Sequence, residues 1–366
     1  MTQEIRVLAD DLSGALDTAV CFVGLSDSLL VTRERPAVAA FACSTGARDL
    51  SGTAAAKVFA LCLPWLLAAR WPFHKIDSRL RGHAAREITA IRRAAPDRAI
   101  VIAPALPAHG RIVRSGRVLS RAGPDEAWMS EPTVLTSELA SLGLDVKACL
   151  PDDGSVPQGI SLWDAETDQD LEKIAITATS RPNVILCGSS GLASAFARVL
   201  RIPSPRTYTS FRRPKLLIAG TAHPRTLRQI GHLHANAAEM HIEVATDGEG
   251  FKNVAAAIAR GDNRLITPLL PAGSTEPEIP ARIKAWLVCA THRLPRPGSL
   301  FVTGGETLDT LTGALSSDGL IVTGQFAEGV PASRFLAGRW GGLDVVSKSG
   351  GFGPIELLSK FALDVF

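Results

Sequence analysis

The chain contains 366 residues, of which 46% are hydrophobic and 20% are charged, with a formal net charge of +3. The chain is longer than a typical domain with a single hydrophobic core, so two domains are expected. Its apolar content excludes general disorder. The small net charge predicts no nucleic-acid partner. The six scattered cysteines form no CxxC or metal-site pattern, and the N-terminus does not resemble a signal peptide, so a cytoplasmic protein without membrane contact is expected.

A short apolar strand, a loop of small polar residues and a helical segment recur in this order along the chain. The pattern occurs in five stretches: residues 5–23, 184–200, 215–234, 299–315 and 344–361. Apolar strands without alternation are typical of parallel sheets that helices cover on both faces. The predicted class is therefore α/β, in which ligands bind beyond the carboxyl ends of the strands.

Residues 201–215, "RIPSPRTYTSFRRPK", interrupt this apolar pattern with Pro, Arg and Ser and predict a linker between domains. We therefore expect an N-terminal domain of residues 1–205 and a C-terminal domain of residues 206–366. Each domain is expected to be a mostly parallel sheet flanked by helices, with the active site in the cleft between the domains.

Two acidic residues end the first predicted strand in "VLADDLSGALD", residues 7–17. By themselves, Asp10 and Asp11 fit a strand end followed by a capped helix, since Asp or Ser accepts hydrogen bonds from free helical N–H groups. Their position at the carboxyl end of a buried strand fits a ligand site equally well. This stretch alone leaves both interpretations open.

The densest group of charged residues lies in "FHKIDSRLRGH", residues 73–83. Lys75 and Asp77 would share one face of a strand end. The following loop adds three candidates: Ser78, Arg81 and Gly82. Such a group suits a small polyhydroxylated anion, because arginine binds a carboxylate bidentately, although a surface ion pair with a helix cap at Ser78 is the alternative. Arg111, which ends "APALPAHGR", is either a further anion contact or part of a structural turn.

Three glycine-containing turns in the C-terminal half follow predicted strands and precede helices. They are "AGTAHPRTL" at residues 219–227, "VTGGETLDTL" at 302–311 and "SKSGGFGPIELL" at 347–358. Glycine lets backbone N–H groups approach an anion, and a helix N-terminus attracts it. One such turn also fits plain helix capping, but three within one domain favour polyphosphate binding. No P-loop and no protein-kinase motif occurs. The GxGxxG fingerprint of dinucleotide-binding proteins is also absent, so a nicotinamide-dependent dehydrogenase is a weak alternative.

Seven short motifs occur in the order and approximate spacing typical of the four-carbon acid sugar kinase family, which the chain resembles over nearly its whole length. They are "ADDLSGALD", "KIDSRLRG", "APALPAHGR", "GSSGLASA", "GTAHPRTLRQI", "TGGETLDTL" and "SKSGGFG". The resemblance implies an N-terminal acid-sugar-binding domain and a C-terminal ATP-binding domain. It also implies phosphorylation of a terminal hydroxyl of threonate, erythronate or 3-oxo-tetronate, with ATP and Mg²⁺ as cofactors.

The resemblance and the residue patterns together assign two groups of site residues. The acid-sugar site is expected at Asp10, Asp11, Lys75, Asp77, Ser78, Arg81, Gly82 and Arg111. The nucleotide site is expected at Thr221, Gly304, Gly305, Glu306, Thr307, Lys348, Gly350, Gly351 and Gly353. Asp11 or Asp77 is expected to accept the proton of the hydroxyl, and no protein ligand to a metal is predicted. The expected partners are an acid sugar and ATP. The sequence does not determine the oligomeric state, and base rates alone offer a homodimer as one option.

Three features depart from the family's usual pattern. Arg79 stands where a small Thr is usual, His83 where Asn is usual, and residues 123–135 match the family only weakly. Ser13 and Thr221 each exchange one hydroxyl residue for another and are expected to preserve function. The departures favour an alternative function, that of a degenerate family member that binds an acid sugar and a nucleotide without catalysis.

Overall fold

Parallel strands alternate with helices along most of the chain, which confirms the predicted α/β class. The computed structural model describes residues 4–121, 123 and 125–365. Packing divides the chain into two units, Met1–Pro205 and Arg206–Phe366. Among the described residues, no helix is both long and apolar enough to cross a membrane. Within the weakly matching segment 123–135, Pro124 lies outside the described residues.

The N-terminal unit contains a parallel sheet and a small antiparallel sheet. Its strands are β1 (Ile5–Ala9), β2 (Leu29–Arg33), β3 (Ala42–Ser44), β4 (Trp71–Lys75), β5 (Ala99–Ala103), β6 (Arg111–Arg114), β7 (Arg117–Ser120), β8 (Met129–Ser130), β9 (Val146–Cys149), β10 (Ile160–Trp163) and β11 (Val184–Gly188). Its helices are α1 (Leu12–Ala19), α2 (Gly52–Leu67), α3 (Ala84–Ala94), α4 (Leu135–Ser141), α5 (Asp168–Thr179) and α6 (Ser190–Val199). The parallel strands have the order β2-β3-β1-β4-β11-β5-β10-β9, and β6, β7 and β8 form the antiparallel sheet.

Local sequence explains where these elements form and begin. The unalternating apolar strands β5 and β11 are buried at every residue, as strands with both faces covered must be. Polar side chains start the helices: Asp11 accepts a hydrogen bond from the N–H of Gly14, and Ser51 caps α2. Thr167 and Asp170 form a reciprocal capping box at the start of α5.

The C-terminal unit contains a second sheet, of order β13-β14-β12-β15-β18-β17-β16. Its strands are β12 (Lys215–Ala219), β13 (His241–Ala245), β14 (Arg264–Leu269), β15 (Ser299–Thr303), β16 (Gly319–Ala327), β17 (Val330–Phe335) and β18 (Asp344–Lys348). Its helices are α7 (Pro224–Asn236), α8 (Phe251–Ala259), α9 (Ile279–Arg293), α10 (Gly305–Ala314) and α11 (Leu357–Leu363). Five neighbouring strands pair in parallel, in the order β13, β14, β12, β15 and β18. Strand β17 runs antiparallel to both of its neighbours, β18 and β16.

Strand pairing brings the polar loops of each unit side by side. In the N-terminal unit, Ala9 at the end of β1 is in register with Ser44 of β3 and with Lys75 of β4. In the C-terminal unit, three adjacent strands end in register at Ala219, Thr303 and Lys348. Each unit therefore has a group of neighbouring loops at the carboxyl edge of its parallel strands, where α/β proteins bind ligands.

Candidate active site

A half-buried arginine joins the two acidic residues that follow β1. Arg48 donates from Nε to Asp10 Oδ2 (2.8 Å) and from Nη2 to Asp10 Oδ1 (2.7 Å), and its Nη2 lies 2.8 Å from Asp11 Oδ1. Burial raises the pKa of Asp10 to about 6, although the charge of Arg48 opposes that shift. Sequence reasoning missed Arg48. Its one signal is a position shortly after the carboxyl end of the buried strand β3.

Asp11 is both the N-cap of α1 and a charged member of this cluster. Its Oδ1 accepts from the N–H of Gly14 (3.1 Å), and its Oδ2 accepts from the hydroxyl of Ser13 (2.6 Å). Burial favours a higher pKa for this carboxyl, but the charges of Arg48 and Lys75 outweigh it, and the pKa is lowered. A carboxylate stabilised by so many donors is a weak base, which disfavours Asp11 as the proton acceptor.

Asp77 is held even more firmly by its own loop. It accepts from Arg81 through Nε (3.1 Å) and Nη2 (2.7 Å) and from the backbone N–H groups of Arg79 (3.0 Å) and Arg81 (3.3 Å). Burial opposes ionisation, but the hydrogen bonds from Arg81 and the charge of Arg48 keep the pKa of Asp77 well below its usual value. This geometry fits an organising role and disfavours Asp77 as a base.

Two glycines allow the charged groups to approach one another. A Cβ atom at Gly14 would lie 2.4 Å from Asp11 Oδ1 and 2.9 Å from Lys75 Nζ, and one at Gly82 would lie 2.8 Å from Asp10 Oδ2. Gly82 also has a φ of +87°, which side chains rarely tolerate. The contacts join six of the predicted acid-sugar residues into one cluster: Asp10, Asp11, Lys75, Asp77, Arg81 and Gly82.

Both residues that depart from the family pattern make defined contacts. Arg79 Nε donates to Glu131 Oε1 (2.7 Å), and the Ser120 hydroxyl bonds to the same oxygen. Glu131, which sequence reasoning also missed, is only 5% exposed and follows β8. His83 Nε2 lies 2.8 Å from the carbonyl oxygen of Leu50. These contacts tie the loop after β4 to the small antiparallel sheet and to the loop after β3.

The two remaining predicted residues of this site lie beside the cluster. Arg111 donates to the carbonyl oxygen of His109 (2.8 Å) and interacts electrostatically with Asp77 and Glu131. Burial lowers the pKa of Arg111, an effect that these two carboxylates oppose. Ser78 is half-buried in the loop after β4.

Asp17 adds a further carboxyl group to the surroundings of Lys75, which also acts on Asp11 and Asp77. It is 6% exposed and lies one helical turn after Gly14 on α1. Burial raises the pKa of Asp17 to about 8, with Lys75 opposing the shift. The sequence motif includes Asp17, but its burial depends on tertiary packing and could not be predicted from the motif.

The three glycine-containing turns of the C-terminal unit meet at one edge of its sheet. A Cβ atom at Gly304 would lie 3.4 Å from the Cβ of Thr221, and one at Gly350 would lie 3.3 Å from Thr221 Oγ1. A Cβ atom at Gly220 would lie 2.6 Å from Thr307 Oγ1. The predicted residues Thr221, Gly304, Thr307 and Gly350 are thus neighbours, and helices α7 and α10 both begin beside them.

Lys348 directs its ammonium group into the turn that follows it. Its Nζ lies 3.0 Å from Thr226 Oγ1 and 3.1 Å from the carbonyl oxygens of Ser349 and Gly350. Burial and the charge of Arg225 lower the pKa of Lys348 to about 7. Three acceptors nevertheless fit the charged form, because only an ammonium carries three N–H donors.

Gln229 of helix α7 binds the backbone carbonyl groups in the rest of this turn. Gln229 Nε2 donates to the carbonyl oxygens of Phe352 (3.1 Å), Gly353 (3.2 Å) and Pro354 (2.8 Å). These hydrogen bonds restrain the carbonyl groups of the glycine-rich turn. The remaining predicted residues of the turns are half-buried or exposed: Gly305, Glu306, Gly351 and Gly353.

The described ranges contain no group of three or more His, Cys, Asp or Glu side chains that could hold a metal ion. Mg²⁺ usually keeps several water ligands and binds through phosphate oxygens and one or two carboxylates.

Two domain families match this chain. A family described as "Sugar-binding N-terminal domain" matches residues 5–138, and one described as "Nucleotide-binding C-terminal domain" matches residues 216–358. The two units of the fold therefore correspond to two matched domain families, one described as sugar-binding and the other as nucleotide-binding.

Similar curated proteins are named as kinases. A D-threonate kinase of Salmonella typhimurium is 26% identical and aligns over 96% of each chain, and one of Bordetella bronchiseptica is 27% identical over 98% of this chain and 96% of its own. A 3-oxo-tetronate kinase of Brucella melitensis is 26% identical over 95% of this chain and 93% of its own. The chain belongs to the four-carbon acid sugar kinase family, which confirms the resemblance of its motifs, and these names support a kinase.

Solved structures share the fold. A Salmonella typhimurium LT2 protein provisionally named a tRNA synthase superposes with a TM-score of 0.76 at 19% identity, covering 97% of this chain and 98% of its own. A Haemophilus influenzae protein superposes with a TM-score of 0.69 at 17% identity, with the same coverage. At these identities, the likeness concerns the fold alone.

Proposed function

We propose that this chain is an ATP-dependent kinase that phosphorylates the terminal hydroxyl of a four-carbon acid sugar of the threonate, erythronate or 3-oxo-tetronate type. The observation that carries the proposal is the charged cluster around Lys75 and Arg48, which lies within the region matched by the sugar-binding family. The proposed domains are residues 1–205 for the acid sugar and residues 206–366 for the nucleotide.

The acid-sugar site supplies both cations and hydrogen-bond acceptors. We assign the substrate carboxylate to Lys75, with Arg111 as a second contact, because Arg48 and Arg81 are already paired with aspartates. Among the described residues, no hydrogen bond from the Lys75 ammonium is found, so its donors are available to a ligand. The carboxylates of Asp10, Asp11 and Asp77, kept in place by the arginines, are suited to accept hydrogen bonds from substrate hydroxyl groups.

The nucleotide site relies on backbone N–H groups. The turns after β12, β15 and β18 and the N-termini of α7 and α10 are proposed to bind the phosphates of ATP. In this assignment, Lys348 positions the turn from within, while Thr221, Thr307 and the glycines lie nearest the phosphates. Mg²⁺ would neutralise phosphate charge.

Phosphoryl transfer asks the protein mainly for positioning and electrostatic stabilisation. In this proposal, the ion-pair network of the N-terminal unit holds the acceptor hydroxyl, and the hydrogen-bonded turns of the C-terminal unit hold the donor. In both sites the protein residues already contact one another without a ligand, so little reorganisation of these residues is needed during the reaction.

A coupled assay of ADP release tests the proposal. The panel contains the D and L forms of threonate and erythronate and 3-oxo-tetronate, with a three-carbon and a five-carbon sugar acid as size controls. We expect turnover with at least one four-carbon acid and much weaker turnover with both controls. If calorimetry shows ATP binding but no acid of the panel is turned over, the kinase proposal for this chain is wrong.

A second candidate function is that of a non-catalytic protein that binds an acid sugar and a nucleotide. It is favoured by Arg79 and its buried partner Glu131, because this pair introduces an additional ion pair into the substrate loop. Calorimetry with four-carbon acids would then show binding in the absence of any ADP release. Loss of that binding in Asp77→Ala would locate the ligand in the same cluster.

A further inference from the structure

Transfer to a hydroxyl requires a group that takes up its proton. Three of the four carboxyl groups in and beside the cluster, those of Asp10, Asp11 and Asp77, are poorly suited to do so. Asp10 is paired bidentately with Arg48. Asp77 is paired in the same way with Arg81 and also accepts two backbone N–H groups. Asp11 accepts from a hydroxyl and a backbone N–H and contacts Arg48. Each would lose several charge-stabilising contacts on protonation.

Asp17 differs from these three in its contacts. Within the described parts of the chain, its side chain makes no hydrogen bond or ion pair, and yet it is only 6% exposed. Its carboxyl oxygens do not belong to the fully enclosed unpaired atoms of the described residues, so they keep some access to solvent, through which a ligand can reach them. A ligand hydroxyl would supply the missing partner.

Helix geometry points the Asp17 carboxyl toward the cluster. Residues three apart on a helix share a face, so Asp17 lies on the same side of α1 as Gly14, whose missing side chain leaves room for Lys75. Side chains of a helix lean toward its N-terminus, which brings the carboxyl of Asp17 toward Gly14. The electrostatic influence of Lys75 and Asp11 on Asp17 agrees with this direction.

We propose that Asp17 is the residue that accepts the proton of the substrate hydroxyl. The inference rests on the proposed kinase function. As the hydroxyl oxygen forms its bond to the γ-phosphorus of ATP, its proton passes to an Asp17 carboxylate oxygen. The bond between the γ-phosphorus and the β–γ bridging oxygen breaks, and ADP leaves with that electron pair. The proton on Asp17 later returns to solvent.

The surroundings of Asp17 suit a base that works near neutral pH. Burial raises its pKa to about 8, with Lys75 on β4 and Arg48 in the loop after β3 opposing the shift and Asp11 at the start of α1 adding to it. A general base is most effective when its pKa lies near the working pH. The low pKa values of Asp11 and Asp77 do not meet that condition.

The experiment compares wild type with Asp17→Asn over a range of pH. In wild type, kcat/KM for the four-carbon acid should rise with pH and level off above an apparent pKa near 8. In Asp17→Asn, kcat should fall by about 10²–10⁴-fold, the rise should disappear, and KM for ATP should change little. The melting temperature should be unchanged or higher, because the variant removes a buried group that is costly to ionise.

Two further variants make the result decisive. Asp168→Asn, in the exposed first turn of α5, is the matched control and should keep wild-type kcat. Asp11→Asn should lower the rate but leave the pH-dependent rise in place. A rise that survives in Asp17→Asn, or a kcat within threefold of wild type, would overturn the assignment while leaving the kinase function intact. Absence of turnover by wild type would overturn both proposals.

Discussion

At the scale of single residues, the absence of a side chain at Gly14 is as important as the charges around it. Helical glycine costs stability because of its backbone freedom, so its presence inside α1 needs a reason. The reason is steric, since a Cβ atom would lie 2.4 Å from Asp11 Oδ1. A chain with alanine there must displace either the N-cap carboxylate or the ammonium of Lys75.

We therefore expect Gly14→Ala to lower the free energy of unfolding by about 1–3 kcal/mol, as overpacked sites do, and to lower kcat/KM at least tenfold. Gly231→Ala in α7 is the matched control, because no atom lies within 4 Å of its added methyl group. That variant should be stabilised by about 0.4–1 kcal/mol with unchanged kinetics. Urea denaturation and the ADP-release assay measure both effects, and equal behaviour of the two variants would contradict the steric explanation.

Asp17 should also make stability depend on pH. Its pKa is raised from 3.8 to about 8 in the folded chain, so between these values the folded state holds a proton that the unfolded state has lost. Its contribution to stability is present below about pH 4 and is lost as pH rises toward 8, by up to about 1.4 kcal/mol per pH unit. The stability of Asp17→Asn relative to wild type should therefore increase between pH 5 and pH 8. A constant difference in urea denaturation would argue against a raised pKa.

At the scale of elements, the turn after β18 is ordered by side chains that need not touch a ligand. Lys348 and Gln229 together donate to the carbonyl oxygens of residues 349, 350 and 352–354. Removing the ammonium leaves the Ser349 carbonyl oxygen with the N–H of Phe352 and the Gly350 carbonyl oxygen with the hydroxyl of Thr226 as donors. The turn then loses its hydrogen bonds from a charged donor, which contribute about 1.5–3 kcal/mol each.

Lys348→Met should therefore raise KM for ATP at least tenfold and lower the melting temperature, while binding of the four-carbon acid stays near wild type. Lys360→Met is the control, since Lys360 is partly exposed on α11 and its ammonium pairs with Glu356 one turn away. Calorimetric titrations with each ligand measure these effects. Weakened acid-sugar binding in Lys348→Met would contradict the assignment of the turn to the nucleotide.

At the scale of the whole molecule, each ligand should stabilise the protein through its own site. A ligand at about 100 times its Kd stabilises the fold that binds it by about 2.7 kcal/mol. Thermal unfolding of wild type should shift upward with either ligand, whereas Lys75→Met should lose only the shift caused by the four-carbon acid. Loss of both shifts would contradict separate sites.

The α/β class and the strand-end loops could be predicted from the sequence, because unalternating apolar strands and small polar turns are local signals. Arg48 and Glu131 could not be predicted, because a three-residue strand and a two-residue strand precede them and nothing local marks their partners. The inward direction of Lys348 and the burial of Asp17 depend on packing between elements distant in sequence. Sequence assigns residues to loops, whereas tertiary contacts decide which of them bind, position or react.

Transfer of labelled γ-phosphate tests the central claim most directly. The purified chain is incubated with Mg²⁺, γ-labelled ATP and each four-carbon acid, and the product is separated and identified. The kinase assignment predicts a labelled phosphomonoester on the terminal hydroxyl of at least one acid, formed in equal amount to ADP. Label that appears only as inorganic phosphate, or no release of label with any acid, would contradict it.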